Sequence, residues 1–344
     1  MNIQDFRIGT KVFVIAELSA NHGHNIDTAK KTIKAAKESG ADAIKIQTYT
    51  PDTITIDCNN DYFRVSGGTI WDGRTLYNLY REAYMPWEWQ KELMDFAKEQ
   101  GLISFSTPFD KTAVDFLEEL DVPAYKIASF EITDIPLIEY IAQKKKPIIM
   151  STGIATLRDI EDALMACKRM GNDDVILLKC TSAYPSPMED INLNVIPNMR
   201  ETFNKLTGLS DHTLGHTVAL GAVALGAKVI EKHFILNRND GGPDAKFSME
   251  PSEFKEMVKN IRDLEKALGT ITYELTENQK NSREHSRSLF VVNDIKKGEK
   301  FTEENIKSIR PGFGLETKYI DNILGEKAKC DIKKGTPMAW NYLV

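Results

Sequence analysis

Cysteine is scarce in this chain: four occur in 344 residues, at positions 58, 167, 180 and 330, and none forms a CxxC pair. That spacing excludes a disulfide scaffold and points to reduced thiols in a cytoplasm. An excess of positive charge is also lacking. Against 44 Lys and Arg stand 50 Asp and Glu, a net charge of −6, so nothing draws the chain as a whole to nucleic acid or to an anionic membrane. An anionic ligand must therefore be held by local basic groups. No apolar run reaches the ~20 residues of a membrane span. The first stretch, MNIQDFRIGTKVFVIAEL, places Asp5 and only a short apolar run before Glu17, which fits no signal peptide. These features predict a cytoplasmic protein with neither nucleic acid nor membrane as partner. Hydrophobic residues make up 42% of the chain, enough for a large core.

What is present is a repeated alternation. Strand-length apolar runs at 12–18, 43–49, 103–109, 124–129, 147–153, 175–184, 206–213 and 229–236 are each followed by a helical pattern. Segments such as NIDTAKKTIKAAKESG space their apolar residues by three and four and stop at glycine. Eight such units predict an α/β fold, a closed (β/α)8 barrel of the TIM type. An open doubly wound sheet is the rival, but no GxGxxG turn follows the first strand. The barrel is expected over 1–273, a polar linker over 274–286, and a small β-rich or α+β domain over 287–344 that carries two copies of DIKKG, at 294–298 and 331–335. The longest connection, 57–90, is rich in aromatics and glycine and is expected to cover the site.

Functional groups of such a barrel sit at the C-terminal ends of its strands. Those ends are polar here: Glu17; Lys45 and Gln47; Ser106 and Thr107; Lys126, Ser129 and Glu131; Ser151 and Thr152; Thr181, Ser182 and Tyr184; Ser210, Asp211 and His212; and His233. Burying Lys45 and Lys126 without an anion would cost several kcal/mol, so a small, strongly anionic ligand is expected over the mouth. Two ammonium groups with several hydroxyls supply what a phosphate and an adjacent carboxylate require. His212 and His233 end consecutive strands, and neighbouring strands lie about 4.8 Å apart. Either histidine alone would be an ordinary core residue; their equivalent placement favours a shared ion. No cysteine stands beside them in the pattern, so labile Mn2+, Mg2+ or Co2+ fits better than a closed zinc site. Asp244, in the loop after the eighth strand, joins Glu17 and Glu131 as the carboxylates nearest the mouth.

Taken together, IAELSANHGHN, KIQTY, STPFD, YKIASFE, STGIAT, LLKCTSAYPSP, GLSDHTLGH, EKHF, GGPDAKFSMEP, SRSLF and RPGFG resemble the sialic acid synthase family of phosphoenolpyruvate-dependent condensing enzymes. The resemblance covers nearly the whole chain, and it makes the small domain similar to the antifreeze-like (SAF) domain that this family carries behind its barrel. It implies that Lys45, Thr107, Lys126, Ser129, Ser151, Ser182 and Ser210 surround phosphoenolpyruvate, and that His212 and His233 hold the metal. Gln47, Tyr184 and Asp244 would meet an acetamido-sugar; Glu17, Glu131 and Lys126 would be catalytic, with Glu131 orienting water. Arg310 would reach the partner subunit's site, which implies a homodimer. Ser182 is a departure, since the neuraminate branch has Asn there. The stretches IWDGRTLYNLYREAYMPWEW and GGPDAKFSMEP are similar to the branch that takes a 2,4-diacetamido-2,4,6-trideoxy-L-altrose, giving a nine-carbon acid and phosphate; a neuraminate or legionaminate synthase is the alternative. Two further readings remain open: a Schiff-base aldolase acting through Lys45 or Lys126, and a carbohydrate-binding protein without catalysis.

Overall fold

A computed structural model describes residues 1–344. Two compact units make up the chain, Met1–Gly269 and Thr270–Val344. In the first, eight parallel strands close a barrel: β1 (Phe13–Glu17), β2 (Ala43–Thr48), β3 (Ile103–Pro108), β4 (Tyr125–Ile127), β5 (Ile148–Ser151), β6 (Val175–Cys180), β7 (Leu206–Asp211) and β8 (Val229–His233), with β8 pairing back onto β1. Each strand leads into a helix of the surrounding ring, from α1 (Ile26–Glu38) to α8 (Pro251–Leu268). The helices start where the sequence supplies caps: Asn25 accepts from Thr28 N ahead of α1, and Asp110 accepts from Thr112 N and Ala113 N ahead of Lys111–Glu119.

Strand parity decides what each residue does, because alternate side chains point into the barrel and out toward the helices. Val14, Ala16, Ile44, Ile46, Met150 and Leu177 pack with Ile33, Leu93, Val114 and Ile138 of the helix ring. Phe13, Ile15, Phe105, Ile149, Ile176, Leu178 and Val229 form a separate interior core, joined by Ile3 and Ile8. Ile3 belongs to an N-terminal hairpin, Asn2–Ile3 paired with Phe6–Arg7, which thereby plugs the N-terminal end of the barrel. Continuing the interior parity toward the C-terminal ends, the residues are Glu17, Lys45, Gln47, Thr107, Lys126, Ser151, Cys180, Ser210, Glu231 and His233. An apolar lower barrel thus carries a polar upper layer.

Parity also removes several residues from the expected mouth. Ser106 faces outward, donating to Ile46 O at 3.1 Å and meeting Thr48, and Thr152 donates to Leu178 O at 3.0 Å. Asp211 faces outward too, with its carboxylate 2.7 Å from Lys232 Nζ and both side chains fully buried. That pair and the bonds from Thr213 to Asp211 fix the ends of β7 and β8 on either side of the two histidines.

The second unit contains β9 (Ser288–Val291) antiparallel to β10 (Ile306–Ile309). Its two DIKKG copies embrace each other. Ile295 and Ile332 exchange backbone hydrogen bonds of 2.9 and 2.8 Å; Lys296 reaches Asp331 at 2.9 Å while Lys333 reaches Asp294 at 2.8 Å. In the stretch expected as linker, Glu277–Arg283 is helical, started by a Thr276 and Gln279 capping box. No helix is long and apolar enough to cross a membrane.

One position tests the packing of the interior. A Cβ added to Gly208 would stand 2.4 Å from the Val229 carbonyl oxygen and 2.7 Å from Leu178 Cδ2, and the backbone of β8 has nowhere to go. Gly208→Ala should therefore destabilise the barrel by about 1–3 kcal/mol, seen as a lower denaturation midpoint at unchanged slope.

Candidate active site

The polar upper layer opens into a cavity of about 540 Å³. At its floor Lys45 Nζ lies 2.6 Å from Glu17 Oε1 and 3.2 Å from Thr107 Oγ1. Lys126 Nζ lies 3.1 Å from Glu231 Oε1, which also accepts from Ser210 Oγ at 3.0 Å and stands 3.8 Å from Lys45. Neighbouring strands bring these groups together by register: Glu17 pairs with Lys45 across β1 and β2, and Glu231 with Ser210 across β8 and β7. Burial alone would raise the Glu17 carboxyl, but the surrounding cations hold it well below the usual range. Burial opposes charge on Lys45 too, yet Glu17 and Glu231 outweigh it and hold the ammonium above its ordinary value. A Schiff-base nucleophile would need the opposite shift.

One wall of the floor is backbone. Gly153 N donates to Ser129 Oγ at 3.1 Å, and a Cβ there would come within 2.2 Å of Ser182 Oγ, 2.7 Å of Ser129 Oγ and 3.0 Å of Cys180 Sγ. Glycine is required for this cradle of hydroxyls and a thiol. Buried polar atoms without a partner collect around the floor: Ser151 Oγ, Glu231 Oε2, Glu131 Oε2 and His233 Nδ1. Unsatisfied groups of this kind are costly in a finished core, and here they face a cavity where a ligand's polar atoms would meet them.

His212 and His233 stand with ring centroids 5.3 Å apart. His233 Nε2 is 3.3 Å from Glu17 Oε2, and its Nδ1 is 3.7 Å from Asp244 Oδ2. Burial lowers the pKa of His233 against the pull of Glu17 and Asp244, which favours the neutral imidazole; with that ring neutral, Lys45 and Lys126 are the cations that keep Glu17 ionised. No trio of His, Cys, Asp and Glu side chains gathers around one point. Two imidazoles, one with an unpartnered buried nitrogen, nevertheless fit a divalent cation that takes its remaining ligands from water or substrate.

Above the floor the cavity becomes aromatic and apolar, lined among others by Tyr49, Tyr80, Phe109, Tyr184 and Phe247. Part of the long connection forms this roof: preceded by the short helix Pro51–Ile54, it folds as a 3-10 turn at Asp61–Phe63, a loop and a short helix Leu76–Ala83, and its last residues already belong to α2 (Trp87–Glu99). Trp71 and Tyr80 line the cavity. Tyr77 instead bonds Asp52 at 3.2 Å and Tyr84 packs on His24.

The structure thus gathers Glu17, Lys45, Gln47, Lys126, Ser129, Glu131, Ser151, Ser182, Tyr184, Ser210, His212, His233 and Asp244 around one cavity, with Thr107 bonded to Lys45 beneath it. Arg310 lies in the second unit, exposed just after β10. Two residues escaped the sequence reading. Glu231 was hidden inside EKHF, although it lies two positions before His233 and so on the same strand face. Cys180 corrects the expectation that no thiol stands near the histidines: its Sγ is 3.8 Å from His212 Nδ1. Burial alone would raise that thiol, but His212 and a hydrogen bond from Ser129 bring it down to about 7.

Comparison with known proteins gives the family. The NeuB family matches residues 32–273 and the SAF domain matches residues 286–344. A pseudaminic acid synthase of Campylobacter jejuni is 49% identical over 335 residues, covering 97% of each chain. A pseudaminic acid synthase of Helicobacter pylori is 47% identical over 327 residues, 95% of this chain and 96% of the other. The crystal structure of an N-acetylneuraminic acid synthetase from Leptospira borgpetersenii, in complex with citrate, superposes with a TM-score of 0.74 at 31% identity, over 82% of this chain and 94% of that one. With a closed barrel, a buried lysine floor and near full-length similarity in hand, the chain belongs to the NeuB family, the sialic acid synthases, and carries a C-terminal SAF domain.

Proposed function

We propose that this chain is a cytoplasmic pseudaminic acid synthase: it condenses phosphoenolpyruvate with 2,4-diacetamido-2,4,6-trideoxy-L-altrose, adds water, and releases phosphate by C–O cleavage. The observation that carries the reading is one cavity with two buried lysines, held by exchangeable carboxylate partners, at its floor and an aromatic roof above them, backed by the similarity to pseudaminic acid synthases of two bacteria. Phosphoenolpyruvate enters the floor by exchanging the carboxylate partners of Lys45 and Lys126 for its own anionic groups. Ser129, Ser151, Ser182 and Ser210 supply hydroxyls, and Thr107 sits beside Lys45. The enol C3 then attacks the aldehyde carbon, whose oxygen takes up a proton to become a hydroxyl; water adds at the cationic C2 and gives up one proton, and the tetrahedral species expels phosphate as its new C2 hydroxyl loses the second proton and becomes the ketone. Lys45 and Lys126 stay opposite the anionic charge throughout. His212 and His233 would hold Mn2+, Mg2+ or Co2+, which when bound polarises the aldehyde oxygen. Glu17 fixes His233 and Lys45 together, while Gln47, Tyr184 and Asp244 face the sugar.

A Schiff-base aldolase is disfavoured by the charged, doubly paired Lys45, and a binding module without catalysis gives the buried lysines no role. The direct test is phosphate release with the diacetamido-altrose and with N-acetylmannosamine side by side. An apolar roof should favour the 6-deoxy, twice-acetylated sugar by roughly 10- to 200-fold in kcat/KM. Equal use of N-acetylmannosamine would refute the branch.

Glu131 is proposed to take the proton of the attacking water. Burial raises its carboxyl to about 7, so the base form appears only as pH rises through that value. The sign is testable twice. In wild type, kcat/KM should climb between pH 6 and 8, and Glu131→Gln should remove that limb and lower the rate by roughly 10²- to 10⁴-fold. Because the folded-state value lies above the ordinary carboxyl value of 4.5, wild type loses stability relative to Glu131→Gln as pH rises from about 4.5 to about 7. A stability difference that ignores pH would remove the buried-acid assignment.

Arg310 is proposed to act in a homodimer, completing the partner's sugar site. Its planar fork of donors suits acetamido and hydroxyl groups. Arg310→Ala and His233→Ala should each be nearly inactive alone, and subunit exchange between them should restore activity through one intact site per heterodimer. No recovery despite demonstrated exchange would place Arg310 outside any partner site.

A further inference from the structure

The connection over the barrel mouth has a tip that holds its own shape. Val65 N donates to Arg74 O at 2.8 Å and Gly73 N to Val65 O at 2.9 Å. The Asp72 carboxylate closes the turn, accepting from Gly68 N at 2.8 Å, Thr69 N at 2.9 Å and Thr69 Oγ1 at 2.7 Å. These bonds are internal to the tip. Two large side chains leave it: Arg74, which pairs with Glu82 of the helix Leu76–Ala83, and Trp71, which crosses to the other side of the mouth.

The Trp71 indole Nε1 donates to the Pro243 carbonyl at 2.9 Å. Its ring packs against Tyr184 and Phe247 at centroid distances of 5.4 and 6.4 Å, and Tyr184 in turn packs on His212 at 4.5 Å. Pro243 precedes Asp244, whose Oδ2 accepts from Ala20 N at 3.3 Å and stands 3.7 Å from His233 Nδ1. The main chain of Asp244 is held as well, its carbonyl accepting from Ser248 Oγ at 2.7 Å. One neutral hydrogen bond therefore joins a stiff tip to the loop that aims a carboxylate into the site.

We propose that Trp71 is a positioning residue: its N–H latches the mouth-covering segment to the 241–244 loop, so that covering the cavity and placing Asp244 toward the sugar are a single event. This rests on the sugar-facing role given to Asp244 above. Phenylalanine separates the latch from the packing, because it keeps an aromatic ring and removes the donor.

Two measurements decide the proposal. Trp71→Phe should speed tryptic cleavage after Arg64 and Arg74 several-fold, a readout that needs no substrate. It should also raise the sugar KM about five- to tenfold, the loss of one neutral hydrogen bond, with phosphoenolpyruvate KM changed less than about twofold; Trp71→Ala should exceed it in both respects. In an Asp244→Ala background Trp71→Phe should add nothing further to the sugar KM, since the two act through one contact. Unchanged cleavage in Trp71→Phe overturns the latch, and additive KM effects overturn the route through Asp244. If wild type released no phosphate with any acetamido-sugar, the proposed function would fail, and cleavage would still decide whether the latch exists.

Discussion

Two carboxylates shared between two lysines at the buried end of the barrel are the constraint on which the rest depends. Glu17, Glu231, Lys45 and Lys126 have side chains only 2–5% exposed. Removing one member of such a set leaves an uncompensated buried charge, which costs about 3–5 kcal/mol. The charges are tolerable only because β1, β2, β4 and β8 hold them at hydrogen-bond distance, and that requires closure of the barrel and the apolar packing below. Stability and ligand recognition thus draw on the same groups. The anionic substrate proposed for this site would find ammonium groups already buried and oriented, and would have to compete with the resident carboxylates.

Height within the barrel sorts the chemistry. Aliphatic and aromatic residues fill the lower interior, charge and hydroxyls occupy the strand ends, histidines stand at the rim, and aromatic rings roof the cavity. Each level has its own source in the chain. Strand parity provides the floor, the two last strands provide the histidines, and the long second connection provides much of the roof. Such a division separates the floor from the roof, and in the proposed reaction it is the roof that would meet the sugar.

The strand and helix alternation was legible because each unit carries a strong period and a stop signal. The lysines and histidines were legible because they interrupt apolar runs near a strand's end. Reading those ends as whole stretches overcounted the mouth: Ser106, Thr152 and Asp211 are strand-end residues of the wrong parity. It also undercounted it, since Glu231 reads as one charge among several in EKHF, and Cys180 reads as the last apolar residue of LLKC. Applying the two-residue period from His233 backward and from Ser182 backward would have found both. The latch between Trp71 and Pro243 was beyond reach, because it joins residues far apart in sequence through a carbonyl that any amino acid would offer.

The seam of the barrel has a consequence of its own. Glu17 stands in register with His233, Phe234 N donates to Glu17 O at 2.8 Å, and Asn21 Nδ2 reaches Phe234 O at 3.0 Å and Ser248 Oγ at 2.8 Å. The first and last strands therefore build the site across their junction. During synthesis the earliest piece of the site waits for the latest, and a nascent chain carries both lysines long before it has either histidine or the carboxylate that balances Lys126. The ring can close, and Lys126 can meet Glu231, only once the eighth strand has been made, so the last strand of the barrel completes both the fold and the charge balance of its floor.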